Sequence, residues 1–333
     1  MSAEISTPPN PGIVAGSRQA DALRFVAQYG VIAAMIITFI GFSLAKPDSF
    51  LTALTMKAII RDAAPLLIVA VGITVVLVVN EFDLSIAGLA GLCATVGVIG
   101  VSSAKLGLPV PVGILLAIVV GAGLGALSGF LIAFLGASSF IITLAMGTLL
   151  NGVDTQILGS STIFEGIPAG YTSLANGTIL GISNQTFIAL AIALVIGLML
   201  RHLEVGRYLY SIGGNREAAR LSGVRVKLLT AGVFAVSGAC VAAAGVLVSA
   251  QSASATANSG AGFLLPAYAA AFLGSAMWRP GTFTVFGTLL GVLFLQIIGT
   301  GLSLFSLSGA IVSIIQGAIL VVAVLLSRVG KTA

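Results

Sequence analysis

Apolar runs broken by short polar stretches fill this chain from about residue 28 to residue 326. A helix needs about 20 apolar residues to cross a bilayer core. Ten runs approach that length: 28–45, 63–79, from a polar break at 80–85 to about 103, 111–135, 139–157, 185–200, 228–250, 263–278, from a turn at 279–281 to about 302, and 308–326. The predicted fold is all-α and polytopic, with about ten transmembrane helices, because hydrocarbon offers no partners to a backbone that leaves its own hydrogen bonds unmade. The eighth run holds Pro266 and is short enough for a re-entrant or broken helix. Residues 46–62 are mixed, with Lys57 and Arg61 four apart, and predict an interfacial amphipathic helix outside the membrane. Gly121, Gly125 and Gly129 lay a smooth strip along the fourth run, a small-xxx-small pattern that admits a neighbouring helix at close range.

Charge changes this picture by giving it a direction. No Lys or Arg occurs between Lys105 and Arg201, or between Lys227 and Arg279, yet Arg201, Arg207, Arg216, Arg220, Arg225 and Lys227 lie within 27 residues. Such an island sits in water, and its excess of cations over Glu204 and Glu217 assigns it to the cytoplasmic side. With ten crossings, eleven of the fifteen basic residues fall inside and only Lys46, Lys57, Arg61 and Lys105 outside. Residues 1–24 are polar, with Pro8, Pro9 and Pro11, and predict a disordered cytoplasmic tail; 25–328 form the transmembrane domain and 329–333 a second short cytoplasmic tail. The first run has the small-residue end of a signal-peptide core, but the spans that follow make it an uncleaved first helix.

Inside the island, Gly213 and Gly214 interrupt what precedes them, Asn215 is an N-cap, Glu217 suits the positive end of a helix dipole, and Gly223 offers a C-terminal stop. The pattern predicts a helix of about two turns, roughly 12 Å long. So short a helix is marginal on its own and reads as a docking piece for a soluble partner. The segment GGNREAARLSG resembles the Gly-Gly-Asn-x-x-Ala-Ala-x-x-Ser-Gly stretch of permease subunits of monosaccharide ABC importers, the ribose and xylose permease family. Asp83, Leu84 and Ser85 form a second match, where that family reads Gly-Gly-Ile-Asp-Leu-Ser; here Asn80, Glu81 and Phe82 precede them, so both glycines are missing and a carboxylate is added. The resemblance runs from about Phe50 to Ser327.

The resemblance implies the permease fold of the ribose and vitamin B12 importers, in a bacterial inner membrane. It makes residues 201–227 the coupling segment, with Gly214, Asn215, Glu217, Ala218, Ala219, Arg220, Ser222 and Gly223 as the piece that a separate ATPase subunit grips. It also implies an extracytoplasmic sugar-binding protein that delivers a monosaccharide or polyol, and a second permease subunit, identical or different. No cofactor is implied.

Polar residues at membrane depth are costly and therefore informative. Asn80, Glu81, Phe82, Asp83 and Ser85 either line a translocation pathway, with Phe82 as an aromatic face for a sugar, or face cytoplasmic water at a helix end. Asn151, Gln296 and Gln316 are pathway candidates whose plain alternative is a helix-to-helix hydrogen bond. Other chemistry falls away. Composition is 58% hydrophobic and 8% charged, so the net charge of +5 reflects loop placement and not nucleic-acid binding. Cys93 and Cys240 lie in apolar runs as small hydrophobes, and a lone His202 excludes a histidine metal site or a triad. Gly330, Lys331 and Thr332 end like a phosphate loop, but Leu325 stands where its first glycine belongs, so ATP hydrolysis is left to a partner and the chain is not itself an enzyme. A proton-coupled secondary transporter using Glu81 or Asp83 is the alternative.

Overall fold

The computed structural model describes residues 29, 31–159, 161–278, 281–305, 307, 310–311, 314–315, 317–319 and 321. The predicted tails at 1–24 and 329–333, Gln316, Arg279 and most of the tenth run lie outside the described residues. Nine of the predicted runs appear as apolar helices, α1 (Val31–Ala45), α3 (Ala53–Val78), α4 (Ile86–Val101), α5 (Val110–Leu135), α6 (Ser139–Leu158), α8 (Asn184–His202), α11 (Val226–Ser252), α12 (Leu264–Met277) and α13 (Val285–Ser303). Shorter helices join them: α2 (Pro47–Phe50), α7 (Ala169–Asn176), α9 (Glu204–Gly214) and α10 (Arg216–Leu221). The strands described, Thr178–Ile179 and Ile182–Ser183, form a small antiparallel hairpin.

The core sits between α3, α4, α11 and α12. From Ala63 onward α3 is buried, whereas α5, α6 and α8 keep large apolar side chains such as Leu115, Leu149 and Leu194 on outward faces. The glycine strip on α5 meets α11, where Gly121 and Gly125 lie against Gly238 and Phe234. The charged island and the long loop at 159–183 stand at opposite ends of α8, whose 19 residues span about 28 Å.

Residues 46–62 do not form a separate interfacial helix. After the short α2, Thr52 caps α3 by accepting the amide of Thr55 at 3.1 Å, and one helix of 26 residues carries Lys57 and Arg61 straight into the core. The obstacle to that join is Pro65, which has no N–H to give to the carbonyl of Arg61. Gln185, at the start of α8, donates its Nε2 to that carbonyl at 2.8 Å, so the freed acceptor is satisfied from the neighbouring helix.

The eighth run, expected to be re-entrant or broken, is short but unbroken, and the irregular stretch lies ahead of it. Residues 253–260 return inward without helical structure, with Ala253 and Asn258 at φ 50° and 61°, and Gly260 packs against Ala87 and Gly91 of α4. The helix α12 starts only after this, with Pro266 in its first turn where no intrahelical donor is required, and has 14 residues. That is about 21 Å of helix, less than a bilayer core.

Candidate functional site

The break between α3 and α4 faces the α9–α10 junction. Asn80 adopts φ 58° and donates its Nδ2 to the carbonyl of Gly213. Beside it, the Glu81 side chain is only 11% exposed and receives Arg216 Nη1 at 2.6 Å, while Arg216 Nη2 reaches Thr230 Oγ1 of α11 at 2.9 Å. A buried carboxylate without a cation would be expensive, and Arg216 offsets part of that cost.

The next residues tie the break to the core. Asp83 is 1% exposed, and its carboxylate accepts from the amide and the hydroxyl of Ser85 at 3.1 and 2.6 Å and from Ser237 Oγ of α11 at 2.9 Å. Its own amide donates to Tyr268 Oη of α12 at 2.8 Å. Ser139 and Thr143 at the start of α6 accept the amides of Phe82 and Leu84. The amides of Phe82, Asp83 and Leu84 thus all donate to side chains of other helices, which is how non-helical backbone survives inside a membrane protein.

These contacts sort the predicted pathway residues. Asn80, Glu81, Asp83 and Ser85 come together, but as a hydrogen-bonded joint. Asn80 and Phe82 are the exposed members; Phe82 is 40% exposed and its ring stacks at 6.1 Å on Tyr268. Asn151 lies elsewhere, half-buried on α6, in the wall of an open cavity of about 220 Å³ with Leu84, Gly88, Thr148 and Asn258. Gln296 is half-buried on α13 and is not among the residues lining that cavity.

Within the charged island, residues 216–221 form the short helix that its caps predict. Asn215 accepts the amide of Ala218 at 3.0 Å, and Gly223 takes φ 83° while Val224 donates back to the carbonyl of Ala219 at 3.1 Å. Glu217 and Arg220 pair at 2.5 Å on the exposed face, and the hydrogen bond from Arg220 holds the Glu217 carboxyl below its ordinary range. Ala218 faces out, but Ala219 is 4% exposed and packs onto the protein. Gly214, Ser222 and Gly223 are exposed.

Sequence reasoning missed several participants. Tyr268 and Ser237 sit in apolar helices with no local pattern to mark them. Leu221, 75% exposed at the end of α10, looks like an ordinary helix former in the sequence. Asp154 is fully buried on α6, where Oδ1 accepts from Thr95 at 2.6 Å. Among the described residues no three His, Cys, Asp or Glu side chains converge as metal ligands would.

The family model described as "Branched-chain amino acid transport system / permease component" matches residues 55–324. The ribose import permease of Haemophilus influenzae is 32% identical over 305 residues, 91% of this chain and 93% of that protein. The galactose/methyl galactoside import permease of Salmonella typhimurium is 29% identical over 89% of this chain and 93% of its own length. An autoinducer 2 import system permease of Salmonella paratyphi B is 30% identical over 90% and 91%. No solved structure matches the chain.

Proposed function

This chain belongs to the permease-component family matched over residues 55–324, and on that premise we propose that it is the membrane subunit of an ATP-binding cassette importer for a monosaccharide or related polyol. An ATPase subunit supplies the energy by gripping α10 from the cytoplasm. A binding protein delivers cargo on the other side of a bacterial inner membrane, and a second permease, identical or different, completes the pore. The relatives whose printed names are ribose, D-allose and galactose/methyl galactoside permeases support the cargo class.

The observation that carries the reading is α10 itself, a short helix capped at both ends whose outward face presents Glu217, Ala218, Arg220 and Leu221 to a partner. Nothing comparable supports proton coupling, since Glu81 is held by Arg216 and Asp83 by two serines. Glu217→Arg should reverse the charge of the docking face, and Gly223→Val should place a β-branched residue at φ 83°, a strain of order 1 kcal/mol or more. Both variants should remain folded in the membrane and lose substrate-stimulated ATP hydrolysis and uptake together. Two variants that hydrolyse ATP and transport normally with the ATPase bound would remove α10 from the coupling role.

Orientation is testable separately. Reporters fused after Ser222 should read cytoplasmic and one fused after Gly170 exterior, as the charge island requires. An exterior signal at Ser222 is incompatible with ATPase docking there.

A further inference from the structure

The importer reading leaves open how movement of α10 reaches the interior, and one pair of residues bridges that gap. Arg216 is the first residue of α10, yet its guanidinium points away from the docking face and into the protein, with Nη1 on Glu81 at 2.6 Å and Nη2 on Thr230 Oγ1 at 2.9 Å. Glu81 belongs to the unwound α3–α4 break, and two residues further on Asp83 is bound to Tyr268 of α12 and Ser237 of α11. Leu84, at the end of the same strand, lines the open cavity with Thr148 and Asn151. Asn80 adds a second tie from the break to Gly213, just ahead of α10.

Resting on the importer reading, we propose that the Arg216–Glu81 ion pair is the strut that transmits displacement of α10 to the α3–α4 break and so to the cavity beside it. Arg suits this role because its planar fork holds two acceptors at once in fixed geometry, whereas a single-point contact would pivot. Glu81 is largely desolvated, so its carboxylate follows the cation when the helix shifts and does not exchange it for water. The strut carries both pull and push. Glu81 and Arg216 are positioning residues and need not touch cargo.

A full-length chain carrying Thr148→Cys, co-expressed with its ATPase, provides the readout without knowledge of the cargo. The native Cys93 and Cys240 are buried, so N-ethylmaleimide reports on the new cysteine in the cavity wall. Between nucleotide-free and ATP-plus-vanadate conditions the labelling rate should change by about fivefold or more, the size of an ordinary coupling. Arg216→Gln should leave the ATPase co-purifying, since Glu217, Ala218 and Leu221 are untouched, and should abolish the nucleotide-dependent change. The exchange Glu81→Arg with Arg216→Glu should restore it, because Thr230 can donate to a carboxylate as readily as accept from a guanidinium. If the exchanged protein does not assemble, Glu81→Gln decides: it must remove the response as fully as Arg216→Gln, and the double glutamine variant must do no more. An Arg216→Gln protein that still responds, or an assembled exchange variant that does not, overturns the strut. A parent protein that never captures the ATPase overturns the importer reading beneath it instead.

Discussion

Gly125→Val should remove the folded protein, while Gly123→Val, two residues away on the same helix, should be nearly silent. A Cβ added at Gly125 would fall on the carbonyl oxygen of Phe234 in α11, and one at Gly129 would come within 2.8 Å of the Ala231 Cα. Both obstacles are backbone, so no side-chain rotation relieves them. Gly238 of α11 makes the reciprocal approach to the carbonyl of Gly121, and the two helices therefore meet through glycine on both sides. At Gly123 an added Cβ has nothing within 4 Å. Overpacking a tight core costs about 1–3 kcal/mol when side chains can yield, and a contact backed by main chain should exceed that range. A surface change should stay within about 0.5 kcal/mol. Heating both variants in mild detergent and following the monodisperse fraction by size-exclusion chromatography separates the cases. Equal survival of the two would mean that α5 and α11 do not meet along this strip.

That strip was legible in the sequence because its signal is local: glycines four apart share one helix face whatever they pack against. The same holds for α10. Asn215 and Gly223 act on amides and carbonyls within a few residues, so the helix and its ends can be read without knowing the fold. Run lengths placed the apolar helices for a similar reason, since the bilayer sets them. The eighth run was legible as short, and it is a short helix in which Pro266 occupies the first turn and causes no break.

The misreadings and omissions share the opposite property. The continuity of α3 through Pro65 depends on Gln185, 124 residues away, accepting the role of a missing backbone donor. Glu81 meets Arg216 across 135 residues, and Asp83 meets Tyr268 across 185. Neither separation leaves a trace in spacing or composition. Glu81 and Asp83 were visible as costly charges near a helix end, but whether they faced a pathway or a partner was a question of tertiary structure alone. The amphipathic α9 went unread because its buried residues Gly206, Leu209 and Ile212 are few and lie among charges that dominate the pattern. For the candidate site, the short capped helix was therefore largely legible and the joint behind it was not.

Asp83 shows what that difference means for experiment. Read from the sequence alone, Asp83→Ala is a pathway variant: uptake falls and assembly with the ATPase stays intact. In the structure the carboxylate is the acceptor for the Ser85 amide, the Ser85 hydroxyl and the Ser237 hydroxyl, in a space from which water is excluded. Alanine leaves three buried donors without that acceptor, and it empties the space the carboxylate fills. Hydrogen bonds to a charged group contribute about 1.5–3 kcal/mol each, and an orphaned buried donor costs about 1–3 kcal/mol, so a loss of roughly 3–5 kcal/mol is expected even after local adjustment. The break should then lose its hold on α11, and recovery of monodisperse protein should fall steeply. Asp83→Asn keeps the shape and one acceptor oxygen and should recover much of the stability, while Ser237→Ala, which removes one donor along with its need for a partner, should be milder than Asp83→Ala. Thermal survival in detergent ranks the three, and uptake normalised to folded protein separates stability from transport. If Asp83→Ala survives heating as well as the parent and only transport is lost, the carboxylate serves the cargo and the joint stands without it.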